Sequence, residues 1–250
     1  MTITSIDESQ RKAARVAGLA GLLAMAAVVF QNYAIHERLI VAGNAAETAR
    51  NIIAHERLFR IAIASDLFYV AGVVVLLTAL YTVLKPVSRS LALLAAFFRL
   101  VYVMMWVVMA LNHLDALRLL NGADYLSVFE PDRLQALARL RLSADFDAYY
   151  VGLPFYGLAS TVCSYLWIKS NYIPRTLAAW GVISSAWCAA CAFAFIIFPD
   201  FILPGLTRTV TLFLFDSPMG AFEIVTSLWL LFKGVRPSGS PRVEAPLIAA

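Results

Sequence analysis

The feature that most constrains this chain is a series of six apolar runs, each long enough to cross a lipid bilayer. They cover residues 16–35, 61–84, 91–111, 149–168, 177–198 and 209–232. A helix rises about 1.5 Å per residue, so about 20 residues cross the roughly 30 Å hydrocarbon core of a membrane. The short alternating segments of a transmembrane β-barrel are absent, which leaves helices as the spanning elements. We therefore predict an all-α membrane protein, built as a bundle of six transmembrane helices.

The composition agrees with this assignment. Hydrophobic residues make up 61% of the 250 residues, charged residues make up 14%, and the mean hydropathy is +0.77. Soluble domains contain about 45–50% apolar and about 25% charged residues. A soluble fold of this length lacks the interior volume to bury so many apolar side chains. The composition therefore excludes an ordinary soluble enzyme.

The positions of the basic residues predict the orientation in the membrane. With the N-terminus inside, all four lysines fall on the inner side, at Lys12, Lys85, Lys169 and Lys233. Short loops rich in lysine and arginine stay in the cytoplasm, so both termini are expected there. The net charge of +4 is then an excess at the inner membrane surface, and no nucleic-acid partner is predicted. We expect one transmembrane domain over residues 1–235 and a disordered cytoplasmic tail over residues 236–250.

The connections on the outer side are longer than those on the inner side. Asn44 followed by Glu47 is a helix-capping signal, so the second helix is expected to begin there and run into the membrane. Residues 116–147 have room for one or two short helices, with Pro131 in a first helical turn. The structured mass outside the membrane is therefore predicted on the outer side.

Two charged residues fall near the middle of predicted spans. Arg99 lies ten residues beyond Arg89 at the inner end of the third span, and Glu223 lies ten residues before Lys233 at the inner end of the sixth. Both are therefore about 15 Å deep. A charge at that depth costs roughly 2.5–3.5 kcal/mol unless it is partnered. We predict a buried ion pair between Arg99 and Glu223.

Two interpretations of this pair stay open. It can be a structural ion pair that holds the two helices together and sets their register. It can also be the polar floor of a cavity in which Arg99 holds a carboxylate or phosphate head group. The residues that share a helical face with the pair suit either role, and they are Tyr102, Trp106, Thr226 and Ser227.

A second polar group is expected near the outer membrane boundary. Asp66 lies about 28 Å along the second span from Lys85, at the level where the third span ends. We predict an outer polar cluster of Asp66, Asn112, His113 and Asp115.

All three histidines, His36, His55 and His113, also fall on the outer side. Together with Asp66 they could hold zinc with an open coordination position, which would polarise an ester or amide bond. No His-Glu-x-x-His motif is present, so surface histidines are favoured and no metal or other cofactor is predicted. A metal-dependent hydrolase at the outer surface remains an alternative.

Two further motifs lie inside predicted spans. Cys188 and Cys191 form a Cys-x-x-Cys pattern in the fifth span, where a thiol behaves as a small apolar group, so we expect no redox role. Pro218 follows Asp216 in the sixth span and predicts a kink or a break into two half-helices. Broken helices often mark binding sites in transporters.

An ordered series of short motifs runs along the chain. It comprises NAAETARN at residues 44–51, LFR at 58–60, LY at 80–81, LKPV at 84–87, SLALLAA at 90–96, FRL at 98–100, YIPR at 172–175, and Glu223 before LWLL at 228–231 and KG at 233–234. From residue 17 to residue 235 the chain resembles the bacterial membrane proteins grouped as domain of unknown function 4386. The resemblance implies a bacterial inner-membrane protein of six helices and brings no established reaction, cofactor or catalytic residue.

These observations favour a membrane protein that is not an enzyme. We expect it to bind, sense or pass a small amphipathic or lipid-like molecule in a cavity whose floor is Arg99 and Glu223. The alternatives are the metal-dependent hydrolase and a structural partner of another membrane protein. The lipid bilayer is the partner that the sequence requires, and the oligomeric state stays open.

Overall fold

The computed structural model of the protein describes residues 6–198, 200 and 208–236, with the side chains of the last helix described from Leu214 onward. Within these residues it is all-α and contains seven helices. Helix α1 covers Glu8–Val29 and continues through a π-helical segment, Phe30–His36, and a last turn, Glu37–Leu39. The others are α2 Ala45–Ala54, α3 Glu56–Leu84, α4 Arg89–Leu120, α5 Pro131–Ser170, α6 Arg175–Ile197 and α7 Arg208–Phe232. Residues 237–250, which form nearly all of the predicted tail, lie outside the described residues.

Five helices, α1, α3, α4, α5 and α6, are long and apolar enough to cross a membrane. The first four predicted spans lie wholly within α1, α3, α4 and α5, and the fifth matches α6 to within one residue at its end; α4, with 32 residues, and α5, with 40, extend well beyond their spans. The chain is therefore a multi-pass helical membrane protein in contact with lipid. The sixth predicted span is helical too, as α7, and its passage through the membrane stays a prediction.

The connection between α4 and α5 differs from our expectation. Helix α4 runs to Leu120, a 3-10 turn covers Asp124–Leu126, and α5 is one continuous helix from Pro131 onward. Pro131 does occupy the first turn, as predicted. The separate short helices expected over residues 116–147 are wrong, because neither proline nor glycine interrupts the chain between Pro131 and Gly152.

The capping signal at Asn44 begins a helix, but not the second span. The Asn44 side-chain oxygen accepts a hydrogen bond from the Glu47 backbone N–H at 3.0 Å. The helix that it caps is α2, which packs against α5. The backbone leaves the helical region at His55, with φ −125° and ψ 39°, before α3 begins. The expected single helix running from Asn44 into the membrane is therefore two helices.

Pro218 does not break α7, which is continuous over Arg208–Phe232. Proline has no N–H to donate to the carbonyl four residues earlier, at Leu214. The indole N–H of Trp187 in α6 donates a hydrogen bond to that carbonyl oxygen at 3.0 Å. Because α6 satisfies the freed carbonyl, the helix stays in one piece; of the two alternatives that Pro218 left open, a kink and a break into two half-helices, the break does not occur.

The six long helices pack in a closed ring, in the order α1, α3, α4, α5, α6, α7 and back to α1. Small residues allow two of these contacts to be close. Gly157 of α5 lies against α6 at Ser185 and Ala189, and Gly18 of α1 lies against the α7 backbone at Leu231. The ring encloses a central space, and the candidate site lies there.

We expect Gly157→Ala to lower the free energy of unfolding by about 1–3 kcal/mol, because overpacking forces the two helices apart. The added methyl carbon would lie 2.7 Å from the Ser185 carbonyl oxygen and 2.8 Å from the Ala189 Cβ. Unfolding in detergent, followed by circular dichroism, measures the change. Gly220→Ala in α7 is the matched control, since a Cβ there meets no atom within 4 Å. Equal stability of the two variants would contradict the close contact between α5 and α6.

Candidate binding cavity

A cavity of about 550 Å³ lies inside the ring. Among the described residues, its lining comes from α1, α3, α4, α5 and α7. Along α1 the lining runs from Gly21 to Glu37, which is about 24 Å at the helical rise. The volume lies within the range of about 300–1,000 Å³ found for small-molecule sites. The cavity therefore has room for an elongated small molecule.

Aromatic side chains from three helices form much of the cavity wall. Tyr102 of α4 stacks on Tyr156 of α5, with ring centroids 4.5 Å apart. Tyr69 of α3 packs on Trp106 of α4, with centroids 4.3 Å apart. Tyr149 of α5 lies further along the same wall. These side chains combine apolar rings with polar groups, so the wall suits an amphipathic molecule.

The structure brings Arg99 and Glu223 together at one end of the cavity. The Arg99 terminal nitrogens lie 2.5 Å from Oε1 and 3.3 Å from Oε2 of Glu223. The two side chains are 7% and 18% exposed. This bidentate geometry fixes the relative orientation of the two side chains and joins α4 to α7 across the helix ring.

Two residues of α5, which sequence reasoning missed, complete the surroundings of the pair. Ser160 accepts a hydrogen bond from Arg99 at 2.7 Å and donates one to Glu223 at 2.6 Å. Tyr156 donates its hydroxyl proton to Glu223 at 2.6 Å, and the Arg99 guanidinium carbon lies 4.3 Å from the centre of its ring. These hydrogen bonds and the ring contact compensate in part for the cost of removing the two charges from water.

A sequence signal for these residues exists on α5. Asp145, Tyr149, Tyr156 and Ser160 follow one another at spacings of four, seven and four residues, which places them on one face of a helix. The signal was missed because the first part of this face was assigned to a loop with short helices rather than to the same helix as the span.

The residues expected beside the ion pair lie close to it. Tyr102 and Trp106 line the cavity on the same face of α4 as Arg99, and Ser227 of α7 lines it too. Thr226 is buried but is not part of the lining. The expected neighbours of Arg99 thus all face the cavity, whereas those of Glu223 divide between the cavity and the helix packing.

A second polar group lies at the opposite end. The His113 Nδ1 atom lies 3.2 Å from Oδ2 of Asp66, and its Nε2 atom is in ion-pair contact with Oδ2 of Asp145. The His113 and Asp66 side chains are fully buried. A neutral imidazole has only one N–H, so an imidazole between two carboxylates holds or shares an additional proton. Of these three residues Asp145 lines the cavity, and His113 and Asp66 lie behind it.

The outer polar cluster that we predicted is therefore formed in part. Asp66 and His113 meet, and the Asn112 amide nitrogen lies 3.5 Å from Asp145, which sequence reasoning did not include. Asp115 does not belong to the cluster, because it is turned toward Arg118 and Arg141 at 3.6 and 4.0 Å. Two residues along a helix correspond to a rotation of about 200°, which carries Asp115 to the side away from His113.

Two of the three histidines lie together and the third lies apart, and His113 is buried rather than on the surface as the sequence favoured. The ring of His36 packs edge-on against His113, with centroids 4.9 Å apart, and lines the cavity. His55 is exposed, with its Nδ1 atom 3.1 Å from the Asn51 carbonyl oxygen. In the part of the chain that the structure describes, no three His, Cys, Asp or Glu side chains are arranged to hold a metal ion.

Two other predicted features lie at different places. Cys188 and Cys191 are free thiols buried in α6, outside the cavity lining. Asp216, which the sequence marked only by its closeness to Pro218, lines the cavity and accepts a hydrogen bond from the Tyr149 hydroxyl. Asp216 is therefore a further candidate site residue.

Charge reversal tests the ion pair. We expect Arg99→Glu to lower the free energy of unfolding by about 3–5 kcal/mol, because it leaves two carboxylates facing each other away from water. The double variant Arg99→Glu with Glu223→Arg should recover part of this loss, measured by thermal unfolding in detergent. Arg89→Glu, at the exposed start of the same helix, is the control and should change little. A double variant no more stable than Arg99→Glu alone would refute the pairing.

We expect His113→Ala to destabilise the protein by about 3 kcal/mol or more, because Asp66 would be left buried without its partner. The exposed His55 is the matched control, and His55→Ala should change stability by less than about 0.5 kcal/mol. Adding Asp66→Asn to His113→Ala should restore part of the stability, since an amide is less costly to bury than a carboxylate. Similar losses for the two histidine variants would contradict this assignment.

Comparisons with known proteins assign the family. No curated protein and no solved structure matches the chain. The model of the family described as "Domain of unknown function (DUF4386)" matches residues 16–234. The resemblance carried by the short motifs is therefore confirmed, and the chain belongs to the DUF4386 family.

Proposed function

We propose that this protein binds, and either senses or passes, a small amphipathic or lipid-like molecule in the cavity inside its helix ring. The observation that carries the proposal is the 550 Å³ cavity itself, which has an aromatic wall between two polar ends. Sites for small molecules combine an apolar lining with a few fixed polar groups. The proposal includes the sixth span, α7, because Glu223 and Asp216 on this helix supply part of each polar end.

Exposed residues of the lining support access from the bilayer. Val29, Tyr33, Phe146 and Ile224 line the cavity and are exposed, so the cavity is open where they lie. Exposed apolar side chains on the helices of a membrane protein face lipid. A lipid-like molecule therefore has an apolar route between the membrane and the cavity, along the second half of α1.

The π-helical segment of α1 supports a binding role as well. Segments of this kind inside α-helices are rare and often occur at functional sites. Here the segment Phe30–His36 supplies Gln31, Asn32, Tyr33 and His36 to the lining. We place the protein in the bacterial inner membrane with both termini in the cytoplasm, in line with its family and with the positions of its lysines.

Native mass spectrometry of gently extracted protein tests the proposal. We expect an organic mass to remain bound to the chain. Gly220→Phe should abolish this mass without unfolding the protein, because Gly220 lines the cavity and a larger side chain there meets open space. Gly220→Ala is the matched control and should keep the bound mass.

Two further outcomes decide between the candidate functions. A bound mass that persists in Gly220→Phe would place the ligand outside the cavity and overturn the proposal. If no preparation retains a bound mass, the alternative role as a structural partner of another membrane protein is favoured. A pulldown from membranes would then identify that other protein. Loss of the bound mass in Arg99→Ala, in protein that remains folded, would assign the ion pair to the binding site.

A further inference from the structure

We propose that the ligand of the cavity is an organic cation: a molecule with an amine or onium group on an apolar body. This inference rests on the proposed function and assigns the charge of the ligand. It follows from the charges of the lining, from how Arg99 is engaged, and from the uncharged polar and aromatic groups of the lining.

The lining is rich in carboxylates and poor in cations. Among the described residues it contains Glu37, Asp145, Asp216 and Glu223, against one arginine, Arg99, and no lysine. Arg99 and Glu223 neutralise each other. Three carboxylates remain, and no described lysine or arginine forms an ion pair with any of them.

Arg99 is unsuited to hold an anionic head group. Its terminal nitrogens already contact Glu223 and Ser160, and Tyr156 lies against the guanidinium. An anion would have to displace the Glu223 carboxylate and leave it away from water without a cation. The carboxylate or phosphate ligand that the sequence left open is therefore disfavoured by the geometry.

Asp145, which is buried, and Asp216, which is partly buried, lie on adjoining parts of the wall, away from the ion pair. Asp145 is one helical turn from Tyr149 on α5, and the Tyr149 hydroxyl donates to Asp216 of α7. Asp145 and Asp66 both contact the His113 imidazole. These three side chains therefore carry a net negative charge when the imidazole is protonated and both carboxyl groups are ionised. A cation placed near Asp145 and Asp216 is attracted by both in a region of low dielectric constant.

Uncharged groups of the lining also suit a cation. Gln31 lines the cavity and is 2% exposed, and its amide oxygen is of the type that accepts a hydrogen bond from an ammonium group. Aromatic rings attract cations through their faces, and Tyr149 and Trp106 line the same space. Val28, Val73 and Met109 line it as well and would contact an apolar body.

Amphiphiles that differ only in the head group test the inference. Decyltrimethylammonium and decanesulfonate carry the same chain and fixed opposite charges, and decanol carries none. Titration of the protein in a non-ionic detergent, read by native mass spectrometry, gives the affinity for each probe. We expect one decyltrimethylammonium ion per chain, bound at least about tenfold more tightly than decanesulfonate.

Neutral variants of the acids locate the binding site. We expect Asp216→Asn, and independently Asp145→Asn, to weaken decyltrimethylammonium binding about tenfold while the shape of the side chain is kept. Asp147→Asn is the matched control, because Asp147 is exposed on the same helix two residues from Asp145 and does not line the cavity. Thermal unfolding confirms which variants remain folded, and Asp216→Asn decides the test if Asp145→Asn does not fold.

The outcomes separate this inference from the proposed function. Equal affinity for the cation and the sulfonate, or an Asp216→Asn variant with unchanged affinity for the cation, overturns the charge assignment alone. The same holds if only decanol or decanesulfonate binds and Gly220→Phe blocks it. If no probe binds while a native organic mass is retained, the cation inference fails and the proposed function stands. Absence of both probe and native mass overturns both.

Discussion

The rest of the structure depends on the cost of keeping Arg99 and Glu223 away from water. Either charge alone is strongly unfavourable inside the ring, and the pair is stable only with good geometry and further hydrogen bonds. Helices α4 and α7 are not neighbours in the ring, so the pair must reach across its centre. Ser160 and Tyr156 of α5 supply the additional hydrogen bonds. Three helices are thereby fixed around one polar point, and the cavity lies beside it.

The opposite end is built on the same principle with different chemistry. His113 is held between Asp66 and Asp145, which joins α3, α4 and α5. Between the two ends the wall is aromatic and apolar, so the cavity is amphipathic along its length. The ion pair can both hold the helices together and form the polar floor of the cavity, because the residues that join the helices also border the space between them. The difference between the ends lies in charge: the Arg99 end is neutralised, whereas the Asp145 end keeps an excess of carboxylate.

The level of a charged residue along its helix was predictable, whereas the direction in which its side chain points was predictable only in part. Counting residues from the inner ends of the spans placed Arg99 level with Glu223, and Asp66 level with His113, and the structure brings each pair into contact. The same counting placed Asp115 with His113, although the two side chains point to different sides of α4. Asp145 was missed because the continuity of α5 from Pro131 was not recognised, which left Asp145 without an assigned level. Tyr156 and Ser160 lie inside the predicted fourth span, but neither is charged, so neither called for a partner.

The sequence by itself determined that this is a helical membrane protein, where its long apolar helices lie, which family it belongs to, and which charged residues lie level with one another. Each of these follows from the order of residues along one helix at a time, because hydropathy and helical rise give a coordinate along the membrane normal. Only the tertiary structure decided the order of helices in the ring, the partners of Asp145 and Asp216, and the presence of a cavity. These depend on how each helix is rotated and which helix lies beside it, which is set by side-chain packing between segments far apart in the sequence.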